Sequence, residues 1–199
     1  MGLRQVGGRR WQHASHTHAS HVQVVGETGV AYQVPADPVA TLLLFHGCGH
    51  SATDFFPPTF ACPHCAGLPE EVAIARAALA RRWAVIALSS VDRTRKCWGH
   101  ADQVSVRAAL EHVRAAESLP AAPLFGLGAS SGGFFVMSLA CSIDFAAISP
   151  QIAALPWTTL HRCVLRGRYP PTAFVHMPRD ARTATAVAAA VKVLGGGRG

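Results

Sequence analysis

Leu124-Phe125-Gly126-Leu127-Gly128-Ala129-Ser130-Ser131-Gly132-Gly133-Phe134 is the stretch on which the fold turns. Its beginning closes an apolar run, Pro123–Leu127, that suits a strand; its end opens another, Ser131–Cys141, that suits a helix. G-x-S-x-G stands where the two meet. Small residues two before and two after Ser130 let strand and helix approach closely, and the sharp turn between them presents the serine outward as a nucleophile. The Ser131 amide, at the positive end of the helix, suits a developing oxyanion. Gly128 and Gly132 together select Ser130 over Ser131 as the turn serine.

Eighty residues upstream, Leu43-Leu44-Phe45-His46-Gly47-Cys48-Gly49-His50 is a buried strand ending in His-Gly. The backbone N–H of Cys48 is the natural second oxyanion donor. Around these two landmarks, strand and helix patterns alternate. Val22–Val25 and Val30–Val34 read as a hairpin, Thr41–Phe45 as a strand and Pro69–Arg82 as a helix. Ala84–Leu88 is a strand, Ala101–Ala116 a helix and Phe145–Ile148 a short strand. An irregular stretch from Ser149 to Pro170 precedes a strand at Thr172–His176 and an Ala-rich helix at Ala181–Leu194. Such alternation predicts an α/β class: a mostly parallel sheet with helices on both faces, and function at the carboxyl ends of the strands. One domain spans 22–194, after a polar His-rich leader at 1–21 and before a Gly-rich tail at 195–199.

Composition narrows the function classes. With 199 residues, 50% hydrophobic and 15% charged, the chain suits a single globular domain. The formal charge of +7 is almost all arginine, scattered and without interleaved aromatics, so no nucleic-acid partner is expected. No apolar run approaches the ~20 residues of a membrane span. With no signal-peptide pattern, a cytoplasmic or organellar setting is favoured over a secreted one, and the compartment is otherwise open.

Six cysteines remain: Cys48, Cys62, Cys65, Cys97, Cys141 and Cys163. Reduced thiols packed as small hydrophobes are the default. Convergence of Cys48, Cys62, Cys65 and Cys97 on a structural zinc, or a Cys62–Cys65 or longer disulfide, are the alternatives. No metal and no cofactor is expected.

Pro171-Thr172-Ala173-Phe174-Val175-His176-Met177-Pro178-Arg179-Asp180 makes a resemblance plain. Over roughly 22–194 the chain resembles proteins of the α/β-hydrolase superfamily, and more narrowly a plant and green-algal branch of it. The branch is carried by His46-Gly47-Cys48, Cys62-Pro63-His64-Cys65-Ala66-Gly67-Leu68-Pro69-Glu70-Glu71, Lys96-Cys97-Trp98, Gly128–Gly133 and Val175-His176-Met177-Pro178. The resemblance implies a triad in the order Ser130, Asp180, histidine. Downstream of Ser130 the only histidines are His161 and His176, the two candidate substitute bases, and none follows residue 180. The expectation is a fold truncated before its last strand, last helix and catalytic histidine, with hydrolase activity near background. It also leaves Thr172–His176, with Phe174, as an exposed sheet edge prone to self-association. Two functions remain: an esterase-like serine hydrolase of small acyl substrates, or a non-catalytic binding protein on the same scaffold, zinc-stabilised through those cysteines.

Overall fold

A computed structural model describes residues 21–167 and 169–196; most of the expected leader and the end of the tail lie outside the described residues. Six strands form one sheet: β1 (His21–Val25), β2 (Thr28–Gln33), β3 (Ala40–Phe45), β4 (Trp83–Leu88), β5 (Leu124–Ala129) and β6 (Ala147–Gln151). Their order is β1-β2-β4-β3-β5-β6, antiparallel at the first two pairings and parallel at the other three. The helices are α1 (Pro69–Leu79), α2 (Asp102–Ala116), α3 (Ser131–Leu139), α4 (Trp157–Leu165) and α5 (Ala181–Gly195). None of the described helices is long and apolar enough to cross a membrane. The sheet begins at His21, which the sequence reading assigned to the leader and which stacks on Tyr32 across the hairpin.

Side chains of a strand alternate between faces, so a continuously apolar strand must have both faces covered. β3 shows this directly. Leu43 and Phe45 enter one core with Ile86, Leu88 and the inner faces of α2, α3 and α5. Leu42 and Leu44 enter the other with Val85, Ala87 and Ala75 and Ala78 of α1. Truncating a fully buried leucine such as Leu43 or Leu44 to alanine costs about 2–5 kcal/mol in such a setting.

Two sequence expectations need correction. The stretch after β6 is not irregular throughout: Pro156 opens α4, whose Cys163 is disulfide-bonded to Cys141 beyond the end of α3. Conversely, Thr172–His176 is not a full strand. It pairs with β6 through two isolated bridges, Ile148 to Thr172 and Gln151 to Val175. Pro150 is the physical cause. The Ala173 N–H donates to Ile148 O, and the ladder next calls for a donor at residue 150, which proline lacks. The Ser149 hydroxyl donates to Ala173 O instead, at 3.1 Å. Phe174 is half-buried against the core, so Val175 and Met177 are the exposed apolar residues of this edge.

Candidate active site

Ser130 sits between β5 and α3 with φ 52° and ψ −115°, a left-handed conformation that L-residues rarely adopt. Two interactions hold it there. Its N–H donates to Gln151 O at 2.9 Å, and its carbonyl accepts the Phe134 N–H at 3.0 Å. The turn also needs the neighbouring glycines. A β-carbon on Gly128 would collide with the Gly132 carbonyl, and one on Gly132 with the carbonyls of Phe45 and His46. The close approach read from the sequence is thus a backbone-on-backbone contact. It brings α3 against the end of β3.

That contact sets the second half of the site. The position of a β-carbon on Gly47 lies 3.8 Å from Ser130 Cβ, so the His46-Gly47-Cys48 turn borders the serine. The amides of Cys48 and Ser131 make no hydrogen bond among the described residues; that of Ser131 is the first of α3 and so has no intrahelical acceptor. The Ser130 hydroxyl also has no partner there.

The loop carrying Cys48 is fastened on several sides. Cys48 is disulfide-bonded to Cys97, and the Gly49 N–H donates to Arg95 O. Trp98 donates its indole N–H to His46 O at 2.8 Å and stacks on Phe135 of α3. Buried Asp102 accepts from the N–H groups of Val91 and Gly99, each at 2.7 Å, and so fixes the ends of the loop before α2. A second disulfide joins Cys62 to Cys65. The expectation of six reduced thiols is therefore corrected. Cys48, Cys62, Cys65 and Cys97 form two pairs, so they do not present four thiolates to a zinc ion.

The histidines divide sharply. His46 is buried, with Nδ1 on Gly47 O and Nε2 accepting the Ser90 N–H, so both nitrogens are occupied. Burial pushes its pKa below 6.5, partly opposed by the bond to Gly47. His161 lies exposed on α4. His176 follows the Gln151–Val175 bridge, level with Ser130 but two strand spacings away, about 10 Å. Its buried Nδ1 has no partner. Neither His161 nor His176 is hydrogen-bonded to Ser130 or Asp180.

Asp180 is engaged elsewhere. It caps α5, accepting the Thr183 N–H at 3.1 Å and the Thr183 hydroxyl at 2.6 Å. These bonds, the hydroxyl's first, hold its pKa below the usual carboxylate value.

One pair escaped the sequence reading. His50 Nδ1 bonds Asp54 Oδ2 at 2.8 Å, across the short 3-10 turn Ala52–Phe55. The His50 ring edge at Cδ2 lies 3.8 Å from the same Gly47 β-position that lies 3.8 Å from Ser130 Cβ. The i, i+4 spacing was visible in the sequence, but nothing in it said that the pair returns to the serine.

An open cavity of about 370 Å³, lined by Trp98, His100, Gln103, Ser131, Phe134 and Leu155 among others, reaches the residue that follows Ser130.

No protein-family model matches the chain, and no curated protein is significantly similar to it in sequence. Solved structures are similar in fold. A thermostable esterase superposes with a TM-score of 0.60 at 16% identity, over 92% of this chain and 52% of that one. A dienelactone hydrolase from Anabaena variabilis gives 0.65 at 13% identity, over 88% and 80%. A poly(3-hydroxybutyrate) depolymerase from Bordetella parapertussis gives 0.56 at 14%, over 90% and 79%. The chain thus spans about half the length of the esterase and about four fifths of the other two. Its fold is the α/β-hydrolase fold.

Proposed function

We propose that this chain is a serine hydrolase of small carboxylic esters, working through an acyl-enzyme on Ser130. The observation that carries the reading is the Ser130 backbone at φ 52°, ψ −115°, beside two unspent amides. Strain of that kind persists only where surrounding structure enforces it, and here it lifts the hydroxyl clear of the helix. The Cys48 and Ser131 N–H groups would donate to the ester oxygen as it gains charge. They would act as fixed dipoles that need no rearrangement during the reaction. The similar folds of an esterase, a dienelactone hydrolase and a polyester depolymerase support the ester class.

The adjoining cavity supports a small acyl group. Its walls are largely apolar, with the indole of Trp98 and the ring of Phe134 available to a short acyl chain. Among the described residues, the segment from Ser149 to Pro170 adds one short helix, α4, after the end of β6, too little for a large lid. Asp180, the acid that the sequence order selects, is instead held at the start of α5 by the Thr183 N–H and hydroxyl. Three disulfides favour an oxidising compartment over the cytosol.

A second reading, a non-catalytic binding protein, draws on the absence of a hydrogen bond between Ser130 and any histidine among the described residues. Turnover of p-nitrophenyl acetate decides between them. Loss of turnover in Ser130→Ala supports the hydrolase; equal rates in both proteins, or none in either, support the binding protein.

A further inference from the structure

A serine at neutral pH needs a base, and the fold supplies one from an unexpected direction. Asp54 has a side chain only 9% exposed, while that of His50 is 48% exposed. The carboxylate is fixed from below by the Ser51 N–H and the Ser51 hydroxyl, both at 3.2 Å, and turns Oδ2 to His50 Nδ1. A carboxylate only accepts, so the imidazole keeps its proton on Nδ1 and its lone pair on Nε2. Cδ2 is bonded to Nε2, and it is this edge of the ring that lies next to Gly47. The β-position of that glycine lies 3.8 Å from His50 Cδ2, 3.8 Å from Ser130 Cβ and 3.7 Å from Ala129 O, so ring and serine border the same small region. With glycine at 47 no side chain enters that region.

We propose that His50 is the general base for Ser130, oriented by Asp54, in a triad whose acid and base both precede the nucleophile in the chain. The proposal rests on the reading of Ser130 as nucleophile. Other histidines are less suited: His46 has no free nitrogen, His161 is on the exposed side of α4, His176 stands two strands away, and His100, which lines the cavity, is exposed and bonded to no carboxylate among the described residues. Asp54 holds His50 as the acid of a serine triad holds its base, through Nδ1.

The chemistry closes without a cofactor. The Ser130 Oγ–H proton passes to His50 Nε2 as Oγ bonds to the ester carbon, and the carbonyl electron pair moves onto oxygen, facing the Cys48 and Ser131 amides. Collapse restores the carbonyl and expels the alcohol oxygen, which takes the proton from Nε2. Water then gives a proton to Nε2 and adds to the acyl carbon. The second collapse releases the carboxylic acid and returns the proton to Ser130.

The test compares wild type, Ser130→Ala, His50→Ala, Asp54→Asn and Gly47→Ala with p-nitrophenyl acetate, each checked for folding by a urea melt. His50→Ala is expected to lose about 10²–10⁴-fold in kcat with little change in KM, the range for removing a general base. Added imidazole is expected to restore part of the rate in His50→Ala and none in Ser130→Ala, which a purely structural role would not produce. Gly47→Ala places a methyl at ordinary contact distance from both the His50 ring and Ser130. It should fold normally yet lose rate, and so it carries the test if His50→Ala is unstable. Wild-type rates in folded His50→Ala or Gly47→Ala, with Ser130→Ala inactive, would overturn the base and leave the nucleophile standing. An inactive wild type, or an active Ser130→Ala, would overturn both.

Discussion

Cys48 and Cys97 lie 4.3 Å apart at Cα and are joined by a disulfide, so the turn after β3 is covalently tied to the loop after β4. The bond spans 49 residues and leads straight into Trp98, whose indole holds the carbonyl of His46. One crosslink thereby positions the Cys48 amide and Trp98, a wall of the cavity.

Breaking that crosslink should cost both rate and stability. Cys97→Ser is expected to lower esterase kcat toward the about 10²-fold loss seen when one oxyanion donor goes. On the chain-entropy model a loop of that length contributes about 4 kcal/mol, which sets the upper end of the stability change. Steady-state kinetics and urea melts check it. Unchanged turnover in a variant with Cys48 shown to be free would remove the disulfide from the account.

Gly132→Ala should be the more damaging glycine change. Its methyl would meet two main-chain carbonyls at the end of β3, which cannot turn aside as a side chain can. The expected loss is about 3 kcal/mol, the upper end for overpacking, with the elbow distorted in consequence. Wild-type stability in this variant would mean that α3 does not pack on β3 as described.

The fold was legible at β3, β5 and α3 because each carries an unambiguous signal: a doubly buried apolar run, or glycines flanking a serine at a strand-to-helix junction. Helix α4 was passed over: its stripe is short, Leu160, Cys163 and Val164, and is masked by Trp157 and Leu165, which are apolar yet face solvent. Pro150 escaped notice because its missing N–H matters only on the outer side of β6, which depends on register. Within the site, Ser130 and the Cys48 turn could be read locally. The role of Asp180 as a cap follows from Thr183 three residues on, a known helix-start pattern that was passed over. The pairing of six cysteines and the return of His50 toward Ser130 are long-range facts, set by topology rather than by neighbouring residues.

Stability should fall in mild acid because of His46. Above pH 6.5 the imidazole is neutral in folded and unfolded chains alike. Below it, the unfolded chain takes up a proton that buried His46 refuses, down to its lowered folded value, so the unfolded state gains. The slope through that window approaches about 1.4 kcal/mol per pH unit at most. Urea melts between pH 7.5 and 5 on wild type and His46→Gln should show the slope only in wild type. Equal slopes would assign the acid sensitivity elsewhere.

The segment at 172–175 is the sheet edge of the described residues, and alternate backbone groups there, those of Thr172 and Phe174, face away from β6. With Val175 and Met177 exposed beside them, weak self-association along this edge is expected. Light scattering across a concentration series should show it in wild type and less of it in Val175→Lys. A strict monomer at all concentrations would refute the expectation.

The central claim is that Ser130 is a nucleophile, and covalent labelling with a fluorophosphonate followed by peptide mass spectrometry addresses it most directly. The account requires one equivalent of label on the peptide containing Ser130, none in Ser130→Ala, and slowed labelling in His50→Ala. A wild-type chain that stays unlabelled while folded, or that is labelled at another residue, would contradict it.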